Sequence, residues 1–232
     1  MKTLIIISHP ELADSGSQQY LLSSVPQEES VRVHHLESSY PDGKIDVAYE
    51  QKLLIEHDRI LFQFPFYWYS SPPLLKKWQD DVLEYGFAYG TKKGQLKDKE
   101  FGLILSVGVR KGAYQTGGKE GFSISELTKP YQALAFKIGM QYLEPLVIYQ
   151  FAYMQEEQKM QLLIEYQQML TSKREKSLAV REKWVVQELE KTDEQFLNPG
   201  DKDVIQQAID QIEENRETID DLDTVLEQIY DG

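Results

Sequence analysis

Two stretches of this 232-residue chain pair residue types that can grip a flat, charged ligand, and a third can approach one closely. The first is Phe66-Tyr67-Trp68-Tyr69, four consecutive aromatics behind Pro65, followed by Ser71-Pro72-Pro73, which can cap and open a helix. Rings can stack on the face of a planar aromatic ligand while loop N–H and C=O groups meet its edge. The same rings could instead pack on a neighbouring surface. The second stretch is Ser15-Gly16-Ser17, just ahead of a helical segment. Hydroxyls, free N–H groups and the helix dipole there converge on one spot suited to an anion, although such a loop taken alone is more often a plain helix cap. The third is the loop 109–122, with Gly112, Gly117, Gly118 and Gly121, and with Arg110, Lys111 and Tyr114 as its polar contributors. Glycine lets a backbone come close to a ligand. There is no dinucleotide glycine fingerprint and no P-loop.

The elements around these loops alternate. Leu4-Ile5-Ile6-Ile7 is a continuous apolar run, as in a strand buried on both faces. Further strands are expected over 31–36, 59–64 and 101–107, with a fifth in Leu143-Glu144-Pro145-Leu146-Val147-Ile148-Tyr149. Helices are expected over 45–57, after Pro72-Pro73, over 128–139 and over 156–170; Tyr40-Pro41-Asp42-Gly43 reads as a turn and 90–99 as a charged loop. This alternation predicts an α/β fold with a doubly wound, five-stranded parallel sheet of order 2-1-3-4-5. The three loops follow strands one, three and four, whose carboxyl ends surround the topological switch point of such a sheet. An anion site, a flat aromatic loop and a Gly-rich loop around one crevice suit a flavin nucleotide.

Composition narrows the alternatives. The net charge of −13 argues against nucleic acid and anionic membrane surfaces as main partners. With no cysteine there is no disulfide framework, thiolate metal site or cysteine nucleophile. His34 and His35 alternate faces of a strand and could not hold one metal together, so they read as structural and no metal is expected. No leader-like segment precedes the first strand and no apolar run approaches membrane-spanning length, which makes a cytoplasmic protein the expectation.

Several motifs together resemble a known family: Ser8-His9-Pro10 with Ser15, Ser17 and Gln18; Tyr40-Pro41-Asp42 and Ile45-Asp46 with Glu50-Gln51; Phe64-Pro65-Phe66-Tyr67-Trp68-Tyr69-Ser70; Pro72-Pro73-Leu74-Leu75-Lys76 with Trp78; Gly86-Phe87-Ala88-Tyr89-Gly90; and Ala113-Tyr114-Gln115 with Gly117-Gly118. Residues 1–170 resemble the NAD(P)H:quinone oxidoreductases of flavodoxin-like fold, in particular the bacterial branch that includes the ancillary flavoprotein of glutathione-gated potassium efflux systems. The resemblance implies FMN, with FAD as the alternative, and NAD(P)H as co-substrate. It implies that His9, Ser15, Ser17 and Gln18 hold the phosphate and ribityl chain. Pro65, Phe66, Tyr67, Trp68 and Tyr69 would lie at one edge of the isoalloxazine, and Ser106, Val107, Gly108 and Val109 at the other, with Tyr114 near the reacting face. It further implies a homodimer in which the partner subunit completes the site. The sequence departs from the family's pattern at three places: Gln18 stands for a common Asn, Ser106-Val107-Gly108-Val109 for Thr-Thr-Gly-Gly, and no histidine lies near Lys119 or Glu120. In place of that histidine, Tyr114 is expected to hydrogen-bond the ring and Lys111 or Arg110 to supply positive charge; the alternative is that both cations face solvent.

Residues 171–232 lie outside the resemblance. They carry 8 basic and 17 acidic residues, hence −9 of the −13. A break at Asn198-Pro199-Gly200 precedes a seam of Ile205, Ala208, Ile212, Ile219, Leu222, Leu226 and Ile229, with Asn215 filling its gap. This helical C-terminal extension either pairs with another helix or folds back on its own domain. The expected activity is hydride transfer from NAD(P)H through flavin N5 to a quinone-like small molecule, with ping-pong kinetics. The rival is a flavin-binding regulatory subunit associated peripherally with a membrane transporter such as a potassium efflux system. A one-electron carrier fits the long aromatic loop less well.

Overall fold

The computed structural model describes residues 1–26, 30–90, 94–172, 177–191 and 200–230. The chain divides into two units, Met1–Thr171 and Ser172–Gly232. In the first, β1 (Thr3–Ile7), β2 (Val31–His35), β3 (Arg59–Pro65) and β4 (Glu100–Val107) form a parallel sheet in the order β2-β1-β3-β4. The fifth position is filled by two short strands rather than one. β5 (Gln141–Tyr142) pairs with the start of β4, and β6 (Leu146–Tyr149) pairs with its end. Pro145 lies between them, where a residue without an N–H cannot continue the ladder.

Alternation along the strands sends side chains into two cores. Leu4, Ile6, Ile60, Phe62, Phe64, Leu103 and Leu105 face one side, packed with Leu53 of α3 (Val47–Glu56), Leu75, Trp78 and Val82 of α4 (Pro73–Val82), and Tyr131 and Ala135 of α6 (Lys129–Ile138). Ile5, Ile7, Leu61 and Ile104 face the other, packed with Leu21 of α1 (Gly16–Leu22) and Leu162, Tyr166 and Leu170 of α7 (Glu156–Thr171). Burial on both faces explains why these strands read as unbroken apolar runs. Local signals set the helix ends. Asp46 accepts the Tyr49 N–H (3.0 Å) at the start of α3, and Pro73 opens α4. Gly139, at φ 84°, ends α6 in the left-handed region. Two short helices, α2 (Leu36–Ser39) and α5 (Ile124–Leu127), have too few residues for a periodic signal; α5 is held by a capping box between Ser123 and Glu126.

The second unit is a helical pair, α8 (Leu178–Glu190) and α9 (Asp201–Tyr230), with Trp184 and Ile209 buried and Arg216 Nε 2.8 Å from Glu182. The face of α9 that is wholly or partly buried runs Ile205, Ile209, Ile212, Arg216 and Ile219. Ala208, expected on the seam, is exposed, as are Asn215, Leu222, Leu226 and Ile229. A straight helix advances 3.6 residues per turn, so steps of four, three, four and three from Ile205 stay on one stripe and reach Ile209 and Arg216. At about 1.5 Å per residue, α8 is also too short to run along the whole of α9. The expected break at Asn198-Pro199 lies outside the described residues, as do 91–93 of the expected charged loop. Among the described residues no helix is long and apolar enough to cross a membrane.

Candidate active site

The aromatic stretch folds as a two-residue hairpin. Tyr67 and Ser70 exchange backbone hydrogen bonds (3.1 and 2.9 Å), and Trp68 and Tyr69 between them sit at φ 46° and 63°. Positive φ at both central positions is the hallmark of a type I′ turn, which normally takes Asn-Gly. Bulky aromatics there cost about 1–3 kcal/mol each, strain that tends to persist at ligand clamps. The turn holds Trp68 91% exposed, with Tyr67 and Tyr69 also exposed. Among the described residues, no intramolecular bond engages the Trp68 and Tyr69 N–H groups. Phe66 points the other way, into the core beside the Tyr114 ring (centroids 6.4 Å apart), and its N–H donates to the Ser106 carbonyl (2.9 Å).

At the end of β1, the Ser8 hydroxyl and the His9 N–H both donate to Glu37 (2.6 and 3.0 Å). His9 Nδ1 accepts the Glu11 N–H (3.1 Å), which leaves the ring proton on Nε2. Burial lowers the His9 pKa, against the pull of Glu37, so the ring is a neutral Nε2–H donor. Ser15 stands at the N-cap of α1, but its hydroxyl makes no capping bond and lies 3.4 Å from that of Ser17. The first N–H groups of α1 are therefore not satisfied by the cap. Nothing stands within 4 Å of where a Cβ on Gly16 would project. Gln18 is fully buried beneath this loop, its amide bonded to Gln63 and Ser106.

The loop leaving β4 closes the far side. Val107 keeps its side chain in the core (5% exposed), so only its backbone can meet a ligand, and its carbonyl already accepts the Gln150 N–H (2.8 Å). Gly108 and Val109 are exposed, their N–H groups engage no partner among the described residues, and the space over Gly108 is open. Tyr69 donates to Glu120 (2.9 Å), joining the aromatic turn to the Gly-rich loop. That hydrogen bond raises the Tyr69 pKa, while burial, then Glu120 and Tyr69, raise that of Tyr114. Both phenols are thus neutral donors at ordinary pH. Arg110 and Lys111 are exposed, and among the described residues neither forms an ion pair.

The structure therefore brings together Ser106, Gln18, Phe66 and Tyr114 through direct contacts, and ties Tyr69 to the loop of Tyr114. His9, Ser15 and Ser17 line the β1 side. Arg110 and Lys111 are on the same loop as Tyr114 with side chains in solvent. Sequence reasoning missed Glu37, Gln63, Glu120 and Tyr166 as parts of this assembly. Only Gln63 left a signal, a polar residue inside the apolar run Ile60-Leu61-Phe62-Gln63-Phe64.

A parallel sheet of order 2-1-3-4-5, with loops from β1, β3 and β4 meeting at its switch point, defines the doubly wound α/β class that binds ligands at that edge. The chain belongs to the flavodoxin-like fold family, whose profile matches residues 1–170. It is 48% identical over 149 residues to an uncharacterized NAD(P)H oxidoreductase, YrkL, of Bacillus subtilis, a match covering 64% of this chain and 86% of that protein. It is 41% identical over 148 residues to the glutathione-regulated potassium-efflux system ancillary protein KefG of Yersinia enterocolitica, covering 64% and 80%. Among solved structures, the general stress protein 14 of Treponema denticola in complex with FMN is 37% identical with a TM-score of 0.66, covering 73% of this chain and 96% of that one. An NADPH-quinone reductase from P. pentosaceus is 42% identical with a TM-score of 0.69, covering 74% and 98%.

Proposed function

We propose that this chain is an FMN-dependent oxidoreductase that catalyses NAD(P)H + H⁺ + quinone → NAD(P)⁺ + hydroquinone. The observation that carries the reading is the strained turn at Trp68-Tyr69, hydrogen-bonded to the Gly-rich loop, with the backbone N–H groups of Trp68, Tyr69, Gly108 and Val109 unpaired among the described residues. The FMN complex of a relative with the same fold supports it. The residues present fit the cofactor. The N-terminus of α1, with Ser15, Ser17 and the Nε2–H of His9, offers donors to a phosphate and its sugar-alcohol chain. The Trp68, Tyr69, Gly108 and Val109 N–H groups offer donors to the edges of a flat ring, and Tyr67 and Trp68 offer rings at its rim. When bound, FMN supplies two-electron chemistry that accepts hydride from the nicotinamide and returns it to the acceptor.

What the chain does is position and polarise. The Tyr114 hydroxyl, neutral and partly buried, would offer a hydrogen-bond donor to the reduced ring, where negative charge develops. Glu120 accepts the Tyr69 hydroxyl's hydrogen bond and so holds the aromatic turn to the Gly-rich loop. One crevice serving both substrates in turn gives ping-pong kinetics. Trp68 and Tyr85, 91% and 72% exposed, are the kind of surface a second copy would cover, so a homodimer is part of the proposal. The test is initial-rate kinetics with NADPH or NADH and a small benzoquinone: parallel double-reciprocal lines are expected, and intersecting lines would refute the shared site. The second reading, an ancillary subunit of a potassium efflux system, is favoured by the 41% identity to KefG. FMN binding without turnover would select it.

A further inference from the structure

A chain of side-chain hydrogen bonds runs through the second core, from α7 to the crevice. The Tyr166 hydroxyl is 3.0 Å from Gln63 Oε1, Gln63 Nε2 is 2.5 Å from Gln18 Oε1, and Gln18 Nε2 is 3.3 Å from Ser106 Oγ. Tyr166, Gln63 and Gln18 are each fully buried, whereas Ser106, at the end of β4, is partly exposed. Three buried polar side chains among Ile5, Ile7, Leu61 and Ile104 are costly unless every link is made.

Such a chain can run in two directions, because an amide turned over exchanges its donor and acceptor ends. In one, Tyr166 donates inward, each amide passes the bond along, and Ser106 only accepts, keeping its own proton free. In the other, Ser106 donates into the core, and the Tyr166 proton is stranded where no water reaches it. A buried donor without an acceptor costs about 1–3 kcal/mol, whereas a free hydroxyl proton at a crevice edge finds solvent or ligand. The buried end therefore sets the direction. Burial also raises the Tyr166 pKa, which keeps the phenolic proton in place. Hydrogen bonds aligned head to tail polarise one another, and this strengthens the terminal donor.

We infer that Tyr166, Gln63 and Gln18 are positioning residues that fix the Ser106 hydroxyl as a hydrogen-bond donor to an acceptor oxygen of the bound cofactor. The inference rests on the FMN reading above and adds to it a specific determinant of affinity on α7, remote from the three loops. Gln18 acts in it from beneath, through its amide.

The test is FMN titration of the cofactor-free full chain, comparing wild type, Tyr166→Phe, Ser106→Ala and the double variant. Tyr166→Phe removes one oxygen, and Gln63→Met breaks the same chain one link closer in case the first variant does not fold. Each single variant should weaken FMN about three- to tenfold, the worth of one neutral hydrogen bond. The double variant should bind no more weakly than Ser106→Ala alone, within about twofold, because both changes remove the same donor. Ser106→Thr, which keeps the hydroxyl, should bind as wild type. Losses that multiply in the double variant would mean that Tyr166 acts through general packing, and would overturn the inference. So would wild-type affinity in both Tyr166→Phe and Gln63→Met. A wild-type chain that takes up no FMN would instead overturn the oxidoreductase reading, and this inference with it.

Discussion

Glu50 is fully buried on α3 and accepts three hydrogen bonds: from His34 Nε2 at 2.7 Å, the Tyr40 hydroxyl at 2.5 Å and Trp78 Nε1 at 2.8 Å. It thereby ties β2, the residue that ends α2, and α4 to α3. Glu50→Leu keeps most of the volume and removes every acceptor. Each donor left unpaired costs about 1–3 kcal/mol; because the three share one site and relax together, about 3–5 kcal/mol in all is a reasonable sum. A domain of this kind holds about 5–15 kcal/mol of stability. With a urea slope near 2 kcal/mol per molar, the midpoint should fall by about 1.5–2.5 M. Trp78→Phe removes one donor and leaves the carboxylate two, so it should cost well under half as much. Trp78 lies on the helix that follows the aromatic turn, so FMN affinity should fall with Glu50→Leu as well. Urea unfolding followed by far-UV circular dichroism measures the first effect. A Glu50→Leu midpoint within about 0.3 M of wild type would refute the reasoning that this carboxylate organises the region.

Tyr114→Phe should slow bleaching of the cofactor by NAD(P)H about 100- to 1000-fold, the worth of a preorganised donor, with FMN affinity hardly changed; single-turnover stopped flow would show an unchanged rate if Tyr114 has no such role. His9 gives a pH dependence. Burial lowers its folded pKa below the ordinary imidazole value of 6.5, so between the two values the unfolded chain binds more protons. The contribution of His9 is therefore complete above about pH 6.5 and is lost as pH falls through the folded value. Urea midpoints between about pH 8 and pH 5 should show a shallower acid loss in His9→Asn; an identical slope would assign the loss to other groups. A chain ending at residue 171 should bind FMN as the full chain does, since Ser15, Tyr69, Ser106 and Tyr114 all lie in the first unit; weakened binding in a titration would give the α8–α9 pair a part in the site.

The sheet order and the three loops were legible because burial on both faces writes strands as apolar runs, and because the switch point follows from order alone. The split at Pro145 was visible as a residue type, but whether a proline bends a strand or divides it depends on its neighbours in the sheet. The aromatic loop was recognisable. Its left-handed geometry at Trp68-Tyr69 was not, since those residue types ordinarily avoid it. Gln18 was readable as a polar residue of the β1 loop, yet its partner Gln63 is 45 positions away and Tyr166, which bonds Gln63 in turn, is 148 positions away, so both reach it only through the fold. Likewise Glu120, which takes up Tyr69 in a loop without histidine, carries no local pattern that points to a partner 51 positions away. On α9 the spacing chose Ala208 where the helix buries Ile209, because a short run of apolar residues fits both a heptad and a 3.6-residue stripe.

FMN held at the carboxyl ends of β1, β3 and β4 would be visible directly. Purified protein should be yellow, with a flavin absorption spectrum, and on denaturation should release FMN in close to equimolar amount. A colourless protein that takes up neither added FMN nor FAD would contradict the account.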